Sequence, residues 1–310
     1  MPFHQLYHCS PENQITVPMN KILVIVVTYN GMKWVDRCFG SLMLSDMPVD
    51  VMAVDNGSTD GTAEYIRDEF PEVRLCCTGE NNGFGKANNI GFRYALDRGY
   101  EYVYLLNQDA WVFPDTIGRL VAAMESDEGL GILSPMQLTA SADRLDPRFA
   151  RWCPSGAARS LGKRRSKGKI HKVKFVMAAH WLVCRRCLAD VGGFSPAFPH
   201  YGEDDNYIHR ALSKGYKVGI HSGAKAVHDR EMRPMSKEAA MRLKCVASVV
   251  KVSNPSNILW LRLILQPLEL LAISIRYRSS QVFRFIFSLI GSFRKLIRLR
   301  RESMDTGAFL

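Results

Sequence analysis

The chain has 310 residues, 47% of them hydrophobic, and a formal net charge of +11, enough for a substantial core plus an extension, with a charge that implies an anionic partner: a nucleotide sugar, a phospholipid surface or a nucleic acid. Its eight cysteines (Cys9, Cys38, Cys76, Cys77, Cys153, Cys184, Cys187 and Cys245) lack regular spacing, which excludes a small disulfide-stapled secreted domain and reads as reduced cytosolic thiols. The start Met1-Pro2-Phe3-His4 lacks the basic and apolar stretches of a secretory signal.

Residues 1–20 form a polar tail without periodicity. Ile22 to Val27 is a continuous, largely β-branched run, the pattern of a strand covered on both faces. Thr28-Tyr29-Asn30-Gly31 breaks it, and Trp34, Val35, Phe39, Leu42 and Met43 then recur at helical spacing. The cycle repeats with a strand over Val49 to Val54, a turn-rich loop from Asp55 to Asp60, and a helix over Thr62 to Phe70 for which Asp60 or Thr59 is the expected N-cap. A third strand over Val73 to Cys76, a helix over Lys86 to Arg98 and a fourth strand over Tyr102 to Leu106 follow. Strands alternating with helices predict an α/β fold, a Rossmann-like, mostly parallel sheet flanked by helices. It is not the usual dinucleotide fold, because no Gly-x-Gly-x-x-Gly follows the first strand; Gly83-Phe84-Gly85 comes later, either a functional loop or a turn needing positive φ.

Asn107-Gln108-Asp109 lies where the fourth strand ends. Open α/β sheets bind ligands beyond the carboxyl ends of their strands, so Asp109 is placed to meet a metal or phosphate. Pro114 opens a helix to about Met124, and Leu130 to Leu133 is another short strand. Between Arg159 and Lys174 stand eight Lys or Arg and no acid, either a solvated loop or a flap for an anionic acceptor. The run has no aromatics to stack bases, which sets nucleic acid aside. Cys184-Arg185-Arg186-Cys187 lacks the further ligands of a zinc site and a redox context, so its cysteines are read as incidental. Gly202-Glu203-Asp204-Asp205-Asn206 places three carboxylates in what reads as the first turn of a helix, either a catalytic base or acids that favour a helix N-terminus.

From about Ser253 the chain changes in kind. Leu259, Trp260, Leu263, Ile264, Leu268, Leu271 and Ile275 are interrupted by Arg262, Pro267, Glu269 and Arg276, so no stretch suits a bilayer span. Phe283 to Ile297 interleaves apolar residues with Arg284, Arg294 and Lys295. Basic amphipathic segments of this kind lie on anionic membranes. The competing destination is packing on the preceding domain or in a homodimer interface.

In order, Val26-Val27-Thr28-Tyr29-Asn30, Val54-Asp55-Asn56-Gly57-Ser58-Thr59-Asp60, Asn81-Asn82-Gly83-Phe84-Gly85-Lys86-Ala87-Asn88-Asn89, Leu105-Leu106-Asn107-Gln108-Asp109, Val191-Gly192-Gly193-Phe194 and Tyr201-Gly202-Glu203-Asp204-Asp205 resemble the family 2 glycosyltransferases of GT-A fold, in particular the rhamnosyltransferase-like branch of bacterial surface polysaccharide synthesis. The resemblance covers about residues 21 to 230. With it come the divisions 1–20 (tail), 21–235 (GT-A domain) and 236–310 (amphipathic helical extension).

The resemblance implies a nucleotide-sugar site made of Thr28, Tyr29, Asn30, Asp55, Asn56, Asn82, Gly83, Asn88, Asn107 and Asp109. Asp109 would bind a divalent cation, Mn2+ or Mg2+, with His228 as a second ligand or a structural residue; Asn107 stands where the full motif has Asp and leaves one fewer anionic ligand. Asp204 matches the general base, with Glu203 and Asp205 orienting the acceptor. The expected activity is inverting transfer from a nucleotide-diphosphate sugar, dTDP-rhamnose or a UDP-hexose, to a glycan or lipid-linked acceptor, by a cytoplasmic protein on the inner face of the plasma membrane. A noncatalytic nucleotide-sugar-binding module recruited to membranes is the alternative.

Overall fold

The computed structural model describes residues 8–9, 21–160, 168–230 and 235–310. Strand β1 (His8–Cys9) is followed by β2 (Ile22–Thr28), α1 (Val35–Met43), β3 (Asp50–Asp55), α2 (Thr62–Glu69), β4 (Arg74–Cys77), α3 (Gly83–Arg98) and β5 (Tyr102–Asn107). Next come β6 (Ala110–Val112), α4 (Thr116–Glu125), β7 (Leu130–Leu138), the short helices α5 (Pro147–Ala150) and α6 (Ser155–Ala158), then β8 (Ile170–Lys172) and β9 (His180–Cys184). Helices α7 (Arg185–Val191) and α8 (Glu203–Ser213) lead to β10 (Lys217–His228), and α9 (Lys237–Ser253), α10 (Leu259–Tyr277), α11 (Ser280–Gly291) and α12 (Phe293–Glu302) follow.

The strands form one sheet in the order β1-β4-β3-β2-β5-β9-β7-β10-β6, with β8 on β10. The apolar run of β2 is explained by cover on both faces. Ile22, Val24 and Val26 pack with Phe39, Leu42, Ile66 and Leu120 of α1, α2 and α4. Leu23 and Ile25 pack on the other side with Ile90 and Phe92 of α3 and with Trp181, Phe194 and Tyr207.

The predicted parallel arrangement holds for β4-β3-β2-β5. Beyond β5 antiparallel pairs enter: β9 on β5 and β7, and β6 and β8 on β10.

Several expectations change. Backbone pairing of His8 and Cys9 with β4 puts a short strand inside the tail expected to be irregular, and sets Cys9 opposite Cys76. Cys76 is disulfide-bonded, so the reading of every cysteine as a reduced thiol fails there. Cys184 and Cys187 are free. The N-cap of α2 is Gly61 at φ 86°, not Asp60 or Thr59, although Asp60 Oδ1 accepts from the Thr62 amide (3.1 Å). Helix α3 begins at Gly83, three residues before the expected Lys86. The centre of the basic run, 161–167, lies outside the described residues.

Helices α9 to α12 build a third apolar cluster, with Met241, Cys245, Leu270, Val282, Ile286, Leu289 and Leu296 inside it. Among the described residues no helix is long and apolar enough to cross a membrane. Trp181 anchors the main core, fully buried, its Nε1 donating to Val176 O (3.1 Å). Trp181→Ala is expected to lower stability by about 3–5 kcal/mol, read as a drop in urea midpoint; a loss below about 1 kcal/mol would place the core elsewhere.

Candidate active site

The register of β2 sets the site. Thr28 stands opposite Asp55 and Val27 opposite Asn107, so the carboxyl ends of β2, β3 and β5 lie side by side. Asp55 is buried and accepts from Thr28 Oγ1 (2.9 Å), Ser58 Oγ (2.5 Å), Gly57 N (3.2 Å) and Ser58 N (2.9 Å). Those donors fill the roughly four acceptor positions of a carboxylate. Asp55 therefore shapes its own loop, and a base or ribose would have to displace a donor to reach it.

Asn30, in the left-handed region at φ 48°, accepts from Thr59 N at its Oδ1 (2.8 Å) and donates its backbone N–H to Ser58 Oγ (2.9 Å). Tyr29 is exposed, and its backbone is gripped at both ends by Gln108: Tyr29 N donates to Oε1 (2.8 Å) and Nε2 donates to Tyr29 O (3.1 Å). Gln108 was missed as a site residue, because its role needs a partner 79 positions away. The close approach also explains Gly31, where a Cβ would lie 2.3 Å from Gln108 Oε1.

Asn56 ties the next segment down: Oδ1 accepts from Asn82 N (2.9 Å), and Nδ2 donates to Asn81 Oδ1 (3.1 Å), which itself accepts from Gly83 N (3.0 Å). Gly83 has φ 79°, and a Cβ there would sit 2.6 Å from Pro199 O, so both backbone freedom and lack of space select glycine. A cavity of about 480 Å³ opens between Asn82, Gly83 and Lys86 on one side and Phe194, Pro199 and His200 on the other. Asn88, expected at the nucleotide, is instead buried within α3, its Nδ2 donating to Phe84 O (2.9 Å). Its neighbour Asn89 meets the opposite loop instead: Asn89 Nδ2 donates to Phe194 O (3.0 Å) and Phe194 N to Asn89 Oδ1 (2.7 Å).

Asp109 meets His228 across the sheet. Pairing of β10 with β6 sets His228 opposite Ala110, and His228 Nε2 lies 3.3 Å from Asp109 Oδ1. Burial pushes the Asp109 carboxyl up, but the hydrogen bond and field of His228 and the Arg230 guanidinium outweigh it and hold it below its ordinary value. Arg230 donates to His228 Nδ1 (3.1 Å), which puts the ring hydrogen on Nε2, where it is donated to Asp109 Oδ1, and Arg230 also pairs with Asp146 (3.4 Å). Beneath them His180 is buried between Tyr104 OH (2.8 Å) and Val227 O (3.0 Å), its pKa lowered to about 3 by burial and then by His228.

Asp109 and His228 could hold a divalent cation only if it took the place of the Nε2 hydrogen between them. Cis ligands of an octahedral ion with bonds of about 2.1 Å lie about 3 Å apart, near the His228 to Asp109 separation. Asn107 Oδ1, two residues from Asp109, is buried with no hydrogen-bond partner among the described residues. Among those residues no group of three or more His, Cys, Asp or Glu could hold a metal, so remaining ligands would come from substrate and water, as is usual for Mg2+ with phosphates.

The acid triplet occupies the first turn of α8, which starts at Gly202 with φ 85°. Asp204 Oδ1 accepts from Asp205 N (2.9 Å), and the Ala178 amide also bonds the Asp204 carboxyl. Ala179, the next residue, accepts from Asn107 N (3.1 Å). Two hydrogen bonds thus link Asp204 to the end of β5, and the field of Arg230 acts on both Asp109 and Asp204. Burial raises the Asp204 pKa. Burial, then the charge of Asp204, raises Glu203 and Asp205 to about 7 each. Glu203 Oε2 has no partner among the described residues. Arg230 is a second residue the sequence did not reveal.

The fold is that of the GT-A glycosyltransferases. S. aureus TarS 1–349 in complex with UDP matches with a TM-score of 0.57 at 17% identity, over 91% of this chain and 90% of that one. Mannosyltransferase PcManGT from Pyrobaculum calidifontis, in complex with GDP-Man and Mn2+, matches with a TM-score of 0.55 at 18% identity, over 92% and 87%. The chain belongs to glycosyl transferase family 2, whose family model matches residues 23–192. It is 30% identical over 234 residues to an N-acetylglucosaminyl-diphospho-decaprenol L-rhamnosyltransferase of Mycobacterium tuberculosis, covering 67% of this chain and 75% of the relative. It is also 30% identical over 109 residues to the dTDP-rhamnosyl transferase RfbF of Shigella flexneri, covering 35% and 36%.

Two outcomes test this geometry. Raised carboxyl pKa values mean that the stability from Glu203 and Asp205 is full below their unfolded values of about 4 and is lost as pH rises through about 7. The melting temperature is expected to fall across that window, and the Glu203→Gln, Asp205→Asn double variant to flatten the profile; an unchanged slope would mean that the triplet is solvated. Gln108→Ala is expected to raise the KM for the sugar donor about tenfold with less change in kcat, and an unaltered KM would detach Gln108 from the donor pocket.

Proposed function

We propose that this chain is an inverting glycosyltransferase that moves a sugar from a nucleotide diphosphate, dTDP-rhamnose or a UDP-hexose, to a hydroxyl of a glycan or lipid-linked acceptor on the cytoplasmic face of the plasma membrane. The observation that carries this reading is the link between two acid sites with opposite pKa shifts: Asp109, held low beside His228, and Asp204, raised by burial, joined through Ala178, Ala179 and Asn107. The activities of the mycobacterial and Shigella relatives favour a rhamnosyl donor, and that of the mycobacterial one a polyprenol-diphosphate-linked acceptor.

In this reading Asp204 takes the proton of the acceptor hydroxyl as its oxygen attacks the anomeric carbon. The bond to the diphosphate oxygen breaks on the opposite face, and its electron pair leaves with the nucleotide diphosphate. A buried carboxylate is a stronger base than a solvated one, which suits it to a hydroxyl proton. Glu203 and Asp205, partly protonated near neutrality at a pKa of about 7, can each donate to or accept from an acceptor hydroxyl. Asp109 and His228 would hold Mn2+ or Mg2+, which when bound supplies Lewis-acid charge at the diphosphate. Tyr29, Asn82 and Gly83 would line the donor pocket, while Thr28, Asn30, Asp55 and Asn56 keep its loops in shape.

Asp204→Asn is expected to lower turnover by about 10²- to 10⁴-fold while donor affinity by calorimetry stays within about twofold; near-normal turnover would remove Asp204 from the chemistry. A wild-type protein that binds donor yet releases no nucleotide diphosphate with any acceptor would be the noncatalytic module instead. Excess chelator is expected to stop nucleotide diphosphate release and Mn2+ to restore it, with His228→Ala needing more Mn2+ for half-activity; full activity in chelator would leave charge neutralisation to Arg230 and other cations.

A further inference from the structure

We propose that the outward face of the α10–α11 hairpin is a docking surface for an anionic lipid bilayer. Trp260, Ile264, Leu268, Leu271 and Ile275 recur at steps of three or four residues along α10 and are 71, 63, 56, 37 and 70% exposed. The opposite side of α10 is buried at Gln266, Leu270 and Ser274. On α11, Phe283 and Phe287 are likewise exposed, their rings edge to face at 5.4 Å, while Val282, Ile286 and Leu289 turn inward. The hairpin is thus packed on one side and leaves its apolar stripe exposed on the other. A contiguous exposed stripe of large apolar side chains marks an interaction surface rather than ordinary solvent-facing protein.

Charge identifies the occupant. Residues 254–310 contain nine Lys or Arg against three acids. Two of those acids are already paired, Glu269 with Lys251 (2.5 Å) and Glu302 with Arg298 (3.5 Å). Arg276, Arg278 and Arg284 are exposed where α10 meets α11. Two copies of this chain meeting face to face would bring like cationic rims together, whereas anionic head groups complement them as acyl chains take up the apolar stripe.

Helix α12, the other basic amphipathic segment, does not share this role. Leu296 and Leu299 are buried, and Arg300 donates to the carbonyls of Val252 (3.0 Å), Pro255 (3.0 Å) and Asn257 (2.6 Å). It straps the hairpin to α9 rather than inserting, which corrects the expectation that its apolar residues face lipid. Helix α9 in turn packs on Gly202, where a Cβ would meet Val246 and Val250 at 2.8 Å. The docking face therefore connects by direct packing to the helix that carries Asp204. A membrane-borne acceptor, as proposed above, is what such a face would serve.

The test is co-sedimentation of the full chain with vesicles of phosphatidylglycerol and phosphatidylethanolamine, against pure phosphatidylcholine, with neither donor nor acceptor present, so that its outcome is independent of catalysis. Binding to anionic vesicles is expected to exceed binding to phosphatidylcholine by about tenfold or more. The Ile264→Glu, Ile275→Glu, Phe287→Glu triple variant is expected to lose at least about tenfold of that binding with an unchanged melting temperature. Should it melt early, Arg276→Glu with Arg284→Glu, which keeps the apolar stripe, is expected to reduce anionic binding to the phosphatidylcholine level. Wild-type binding by both variants overturns the proposal. So does a wild-type chain that ignores vesicles but forms a concentration-dependent dimer dissolved by the triple variant.

Discussion

The contact between His228 Nε2 and Asp109 Oδ1 is the constraint on which the site depends. It joins the end of the parallel block, grown outward from β2, to the end of the last strand, β10. Arg230 fixes the imidazole from its other nitrogen and carries the connection to Asp146. Asp146 is itself buried and caps α5 through the amides of Arg148 and Phe149. An acid at a strand end would be stable enough solvated; holding it against an imidazole and a guanidinium inside the fold is an arrangement with a use beyond stability.

Around this contact the carboxylates divide into two environments. Asp109 is surrounded by hydrogen-bond donors and positive charge, which favour its ionised form, whereas Glu203, Asp204 and Asp205 share one helical turn, are desolvated, and repel each other's charge. Opposite shifts in nearby carboxylates are what the proposed division between charge stabilisation and proton abstraction requires. Asp55, the other strand-end acid, belongs to neither group, being saturated by its own loop.

The part of this legible in the sequence is the part set by local pattern. Ile22 to Val27 announces a doubly covered strand, and the acids at 55 and 109 are found by where apolar runs stop. Helix α8 begins where Gly202 and the acids predict. What could not be read depends on partners remote in sequence. Strands β7 and β10 carry Ser134, Gln137, His221 and Lys225, polar residues that hide a strand pattern until the sheet supplies their surroundings. Gln108 reads as a turn residue until Tyr29 lies beside it. Arg210, which resembles any surface arginine, is fully buried and donates to the carbonyls of Gly193 and Val191. The C-terminal residues show the same limit: Ala308 O accepts from Gly193 N (2.7 Å), and Phe309 forms part of the cavity wall.

The central claim is that Asp109 and His228 grip the cation and diphosphate at one end of the transferred sugar while Asp204 faces the other. Anomalous diffraction from crystals grown with Mn2+ and a nucleotide-diphosphate sugar tests it most directly. The account predicts one Mn2+ peak within coordination distance of Asp109 Oδ1 and His228 Nε2, with the anomeric carbon between that ion and Asp204. A peak ligated elsewhere, or a sugar whose anomeric carbon points away from Asp204, would contradict it.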